Sequence, residues 1–145
     1  RFKEIEREES TDTGGAARPS ELNQWPVQLH LVPASAPWFE GKDLLLSADC
    51  AGYALGDFHR NHLKGKALAI ACPKLDSGQD VYLEKLTAII VNGGLNSVEV
   101  LMMQVPCCRG LLSIVQKAAE QANAKIPIRY SIVSIEGEII QTVNL

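Results

Sequence analysis

Four cysteines are the residues of this chain best equipped to do chemistry: Cys50, Cys72, Cys107 and Cys108. Thiolates ligate zinc and iron–sulfur clusters, and an activated thiolate is a nucleophile or a redox partner. The gaps between Cys50, Cys72 and Cys107 are too long for a compact Cys-x-x-Cys ribbon, so the string itself is weak. What the cysteines share is context. Each closes an apolar run, Leu44 to Cys50, Ala67 to Cys72 and Val98 to Cys108, and a turn or helix signal follows each run. If the runs are parallel strands, all four sulfurs gather at one edge of one sheet. That is where open parallel sheets bind ligands.

The elements that must position them can be read in order. Val27, Leu29 and Leu31 alternate with Gln28 and His30, which predicts a strand ended by Pro33 and Pro37. Trp38 and Phe39 are expected to pack over a sheet end. Leu44–Ala48 and Ala67–Ala71 are apolar on both faces, as buried parallel strands are. Between them, Ala51–Leu63 predicts a helix broken by Gly52 and Gly56 and closed by Gly65. Ser77-Gly-Gln-Asp80 predicts a capping box, and Leu83, Leu86, Thr87 and Ile90 recur at helical spacing up to Asn92-Gly93-Gly94. Val98–Met103 predicts a third buried strand, with Met102 and Met103 as core fillers. Leu111, Ile114, Val115, Ala118 and Ala122 form the stripe of the cleanest helix. Ile128–Ile135 predicts a fourth parallel strand, Glu136-Gly137 a turn, and Ile139–Val143 a returning edge strand.

This alternation predicts an α/β fold in three layers: a mainly parallel sheet of four to six strands with crossover helices. Arg1–Asn23 is expected to be a flexible tail or linker, polar from Glu8 to Ser20, with a short strand over Phe2–Glu6. Residues 24–145 are the expected domain.

The cysteine edge supports several chemistries. As a metal centre, three or four thiolates converge on one iron–sulfur cluster or zinc ion, with Asp49 and His59 (or His62) near enough to orient or complete the ligand set. Adjacent residues of an extended chain face opposite ways, so Cys107 and Cys108 share a centre only if Pro106 and the turn re-aim one of them. As a thiol site, Cys107 or Cys108 sits at a helix start beside Arg109, where dipole and cation favour thiolate. No base is evident nearby in sequence. The same helix start could hold an anion, but Gly-x-Gly-x-x-Gly and Walker sequences are absent. Buried cysteine is also an ordinary small core residue, which would leave a docking module with structural cysteines. His30, His59 and His62 read as surface or capping residues.

The 145 residues carry a net charge of −3, with 46% hydrophobic and 21% charged side chains. This balance gives a nucleic acid no basic stripe and anionic lipid no polybasic patch. No apolar run reaches the roughly 20 residues of a membrane span, and the first residues lack the apolar core of a signal peptide. Four cysteines in such a chain point to the reducing cytoplasm and to metal or redox chemistry more than to disulfides.

Several segments resemble a known family: Gln24-Trp-Pro-Val-Gln-Leu-His-Leu-Val-Pro33, Ala48-Asp-Cys50, Gly56-Asp-Phe-His59, Leu63-Lys-Gly-Lys66, Cys72-Pro-Lys-Leu-Asp76 and Val105-Pro-Cys-Cys108. They are similar to the C-terminal domain of ferredoxin-type iron–sulfur proteins of anaerobic bacteria and archaea, in which a dicluster [4Fe–4S] module comes first. The resemblance spans about Gln24 to Ile140, and Phe2–Glu9 resembles the closing strand of that module. It implies an accessory domain of an electron-transfer protein that meets a redox partner protein, and a binding or electron-transfer role rather than an enzyme. Two departures stand out. The cysteine runs that hold the family's clusters are absent from this chain. Arg109-Gly110 replaces the Gly-Gly that follows the paired cysteines in the family.

Overall fold

The computed structural model describes residues 3–4, 17–105 and 109–145. Two short strands, β1 (Lys3–Glu4) and β2 (Gln24–Trp25), pair antiparallel. After them come a 3-10 turn at Pro37–Phe39, strand β3 (Asp43–Ala48), a one-turn helix α1 (Ala51–Ala54) and a π-helical turn at Phe58–Leu63. Strand β4 (Ala67–Ala71), helix α2 (Gln79–Gly93), strand β5 (Ser97–Met103), helix α3 (Arg109–Gln121), and strands β6 (Ile128–Val133) and β7 (Ile139–Asn144) complete the chain.

The main sheet has the order β4-β3-β5-β6-β7. The first four strands are parallel and β7 is antiparallel to β6. This is the expected α/β architecture. The parallel strands read as continuous apolar runs because both faces are covered: Leu44, Leu45, Leu46, Val100 and Leu101 are fully buried. Helices α2 and α3 pack on each other, whereas α1 packs on β3 and β5. Right-handed crossovers send these two groups to opposite faces. From β3 the chain first steps to β4, and α2 then carries it back across β3 to β5. The strand order therefore reverses between β3 and β5.

Four expectations need correction. Val27–Leu31 forms no strand: a single bridge joins Gln28 to Ile70. The chain then turns, because the Gln28 carbonyl accepts from Leu31 and Val32 N–H at 2.8 and 3.0 Å while the Gln28 side chain accepts from His30 N–H. Leu31 ends up exposed. The capping box at Ser77 is also absent. Gly78, left-handed at φ +76°, starts α2 with no side-chain cap, and the Ser77 carbonyl is instead bound to His30 Nε2. Strand β6 stops at Val133, and Ile135 projects into solvent. Finally, the described part of the expected tail is held to the domain. Glu21 is buried, its N–H donates to His59 Nδ1, and Arg18 pairs with Asp57.

Residues 24–29 have a definite task, which is to close the free side of β4. The Gln24 side chain, 1% exposed, accepts from Leu68 N–H and donates to Leu68 C=O, imitating a peptide group. Next to it, Ile70 N–H donates to Val27 C=O and Leu29 N–H to Ile70 C=O. Gln24→Ala strands both polar groups of Leu68 and is expected to lower stability by about 2 kcal/mol, measurable as an earlier denaturant midpoint.

Candidate functional site

Parallel register fixes where two of the cysteines lie. Ala48 of β3 pairs with Ala71 of β4, so Cys50 and Cys72 leave neighbouring strands at the same carboxyl rim. Asp49 N–H donates to Ala71 C=O at 3.2 Å, which extends that register one residue. Cys50 is exposed, Cys72 is half-buried, and both are free thiols. Leu75 N–H donates to Cys72 Sγ at 3.4 Å. Helix α1 is too short to present an anion-binding N-terminus, so the rim is built from side chains and turns.

The turn after β4 is tied down by Asp76. Its Oδ2 accepts from Cys72 N–H at 2.9 Å, from Gln28 Nε2 at 3.1 Å and from the Tyr82 hydroxyl. Gln28 Nε2 also donates to Tyr82 Oη at 3.0 Å, and the His30 ring stacks on Tyr82 with centroids 4.0 Å apart. Burial raises the Asp76 pKa, but the hydrogen bonds from Tyr82, Cys72 and Gln28 and the charge of His30 outweigh it, and the net shift is downward. Burial, with the bond to Asp76, holds the Tyr82 hydroxyl protonated far above its ordinary range. The 28–32 turn is fixed from α2 as well, since Lys85 Nζ donates to the carbonyls of Leu29 and His30 at 3.0 and 2.7 Å.

Asp49 behaves in the opposite way. Burial, and then repulsion from Asp76, raise its pKa, and its Oδ1 is buried without a hydrogen-bond partner. A carboxyl group with a raised pKa costs stability as pH climbs through that pKa. A proton or a cation brought to the rim would relieve that cost. Perturbed carboxylates of this kind gather at functional sites.

The rim also meets the start of α3. Gly110 packs so closely on Pro73, the residue after Cys72, that a methyl group in its place would lie 3.0 Å from Pro73 Cβ. The chain that leaves β5 towards Cys107 and Cys108 thus returns beside the Cys72 turn. Cys107 and Cys108 themselves lie outside the described residues. Of the other expected site residues, Asp49 is at the rim, whereas His59 accepts from Glu21 N–H at 3.1 Å and stacks edge-on with Phe58. His62 is half-buried, and burial lowers its pKa; Glu99 opposes that shift and Lys66 and Arg129 reinforce it.

Sequence reasoning missed Asp76, Tyr82 and Gly110 as organisers of the rim. The spacing from Cys72 to Asp76 was visible, but nothing marked the Asp76 carboxylate as an acceptor for the Cys72 amide. It also missed Glu99, a carboxylate buried in β5 and paired with Lys66 Nζ at 3.3 Å and with Arg129. These three line a cavity of about 320 Å³ at the opposite, amino end of the sheet.

Among the described residues, no three His, Cys, Asp or Glu side chains come close enough together to hold a metal ion. Those at the rim are the thiols of Cys50 and Cys72, the poorly solvated carboxyl of Asp49 and the Asp76 carboxylate, which is already engaged by three donors. A zinc or cluster site wants about four ligands, more than the described residues bring together at the rim. No helix among the described residues is long and apolar enough to cross a membrane.

An uncharacterized protein of Archaeoglobus fulgidus is 32% identical over 119 residues, which cover 82% of this chain and 83% of that protein. No solved structure matches the chain. Residues 36–145, from the 3-10 turn to the end of the sheet, match the Rossmann-like domain family. With its parallel, doubly covered sheet and a strand order that reverses at β3, this chain belongs to the Rossmann-like domain family.

Proposed function

We propose that this chain is the accessory domain of a ferredoxin-type iron–sulfur electron-transfer protein, working in the reducing cytoplasm with a redox partner protein. Its own cysteines, Cys50, Cys72, Cys107 and Cys108, bind an iron–sulfur cluster or a zinc ion at the carboxyl rim. The observation that carries this reading is the contact of Gly110 with Pro73. It brings the residues just beyond Cys108 against the turn just beyond Cys72, while strand register brings Cys50 to the same edge. The Cys50 end of β3 also borders the reversal of strand order between β3 and β5, where sheets of this kind bind their ligands. The orphaned Asp49 oxygen suits a site that gains positive charge, and the N–H on Cys72 Sγ suits a ligating thiolate. The resemblance to the accessory domains supplies the electron-transfer context.

The test is metal and acid-labile sulfide analysis of protein purified without oxygen. Iron with sulfide, or zinc alone, is expected at one site per chain. Cys72→Ser and Cys107→Ser should each abolish it. Gly110→Ala, which pushes α3 away from Pro73, should weaken retention by about tenfold or more, as disturbed ligand supports do. A folded protein free of metal and sulfide, with four slowly alkylated thiols, would instead mark the domain as a docking module with structural cysteines.

A further inference from the structure

The two edges of the main sheet are treated differently. The β4 edge is closed by residues 24–29, including the Gln24 side chain that serves as a substitute peptide group. The β7 edge is bare among the described residues, since β7 is last in the sheet order. Natural edge strands are blunted by lysine, proline or covering segments. β7, Ile-Ile-Gln-Thr-Val-Asn, has no charge and no proline, and it is exposed over most of its length.

Its hydrogen-bonding polarity follows from one contact. Leu145 N–H donates to Ile128 C=O at 2.8 Å, so Leu145 bonds inward to β6. Antiparallel pairs alternate between bonded and non-bonded positions. Val143 and Gln141, opposite Tyr130 and Ile132, therefore also bond inward. Thr142 and Asn144 direct their N–H and C=O groups to the open side. The close approach of Thr142 Oγ1 to Ser131 Oγ, 3.0 Å, is what a non-bonded pair allows. The register irregularity lies at the Ile139–Gln141 end, which leaves Gln141–Leu145 as the regular stretch.

We infer that β7 pairs antiparallel with β7 of a second copy of this chain, on a two-fold axis at Val143. This register is self-complementary. Thr142 of each copy meets Asn144 of the other and exchanges both backbone bonds, for four in all. Val143 meets its own equivalent in the close, non-bonded pair, and Gln141 faces Leu145. A closed two-fold pairing needs one strand that matches itself, and no like charges meet in this one. The irregular Ile140 end lies outside the paired stretch. The two sheets join into one of ten strands, and the rims that bear Cys50 and Cys72 stay clear of the junction.

Sedimentation equilibrium of the whole chain tests this. A dimer is expected. Asn144→Pro removes an outward N–H and no bond to β6, and should weaken dimerisation by at least about tenfold. Val143→Lys sets two like charges across the axis and should do the same. Amide exchange gives an independent reading: Thr142 and Asn144 N–H should be protected in the dimer and become unprotected on dilution, while Val143 N–H stays protected. A monomer, or a dimer that both variants leave intact with Thr142 and Asn144 exchanging freely, overturns the inference.

Discussion

Asp76→Ala should lower the stability of this protein by about 3 kcal/mol, because three donors lose a shared acceptor at once. One of them, the hydroxyl of Tyr82, belongs to a fully buried residue and has no access to water. The other two are Cys72 N–H and Gln28 Nε2. A fall in thermal midpoint of roughly 6–12 °C is expected for a chain of this size, followed by circular dichroism. Asp76→Asn keeps one acceptor oxygen and should lose less. The wild-type protein carries the same effect in its pH dependence. The folded pKa of Asp76 is depressed, so its contribution is complete above the unfolded carboxylate pKa and fades as pH falls through the lower, folded value. Asp49 has the opposite sign: its raised pKa opposes folding once the group ionises. Asp76→Ala should therefore flatten the acid limb of the stability curve, and it should loosen the Cys72 turn together with any ligand held there.

The second large effect lies at the other end of the sheet. Glu99 is 5% exposed, with Lys66 and Arg129 as its partners. Arg129 can swing to solvent when the carboxylate is removed, but the Lys66 side chain is 19% exposed and would be left half-buried without a counter-charge. Glu99→Ala should therefore lower stability by about 3 kcal/mol, the low end for breaking a buried pair. Urea unfolding measures it. Replacing Glu99 and Lys66 together by methionine should recover much of the loss, since the pair is removed whole. His62 reports the same change locally. Burial already lowers its pKa and Glu99 opposes that, so removing Glu99 should depress it further, as seen in the imidazole proton shifts.

The parallel core was legible because its strands are buried on both faces and so lack alternation. Leu44–Ala48, Ala67–Ala71 and Val98–Met103 match the observed strands to within a residue. The α3 stripe was legible for the converse reason: one wet face makes the helical period visible, and Leu111, Ile114, Val115 and Ala118 are all buried. Val27–Leu31 misled because its alternation reflects a side-chain-stabilised turn against the β4 edge, where only one rung forms. Ser77 misled because α2 begins one residue later than the motif requires, at the left-handed Gly78, which leaves the Ser77 hydroxyl outside the N-cap position. At the rim, the strand ends were predictable from topology. The support beneath them was not, because Asp76, Tyr82 and Gln28 meet only through long-range packing.

The asymmetry between the sheet margins limits growth as well as position. A molecule with a single adhesive margin terminates after one partner, whereas a molecule with two can add subunits indefinitely. Gln24 and the five residues after it therefore act as a chain stopper. Were that segment displaced, the same β7 chemistry that closes a pair would also allow open-ended ribbons, and turbidity would report it before any loss of secondary structure.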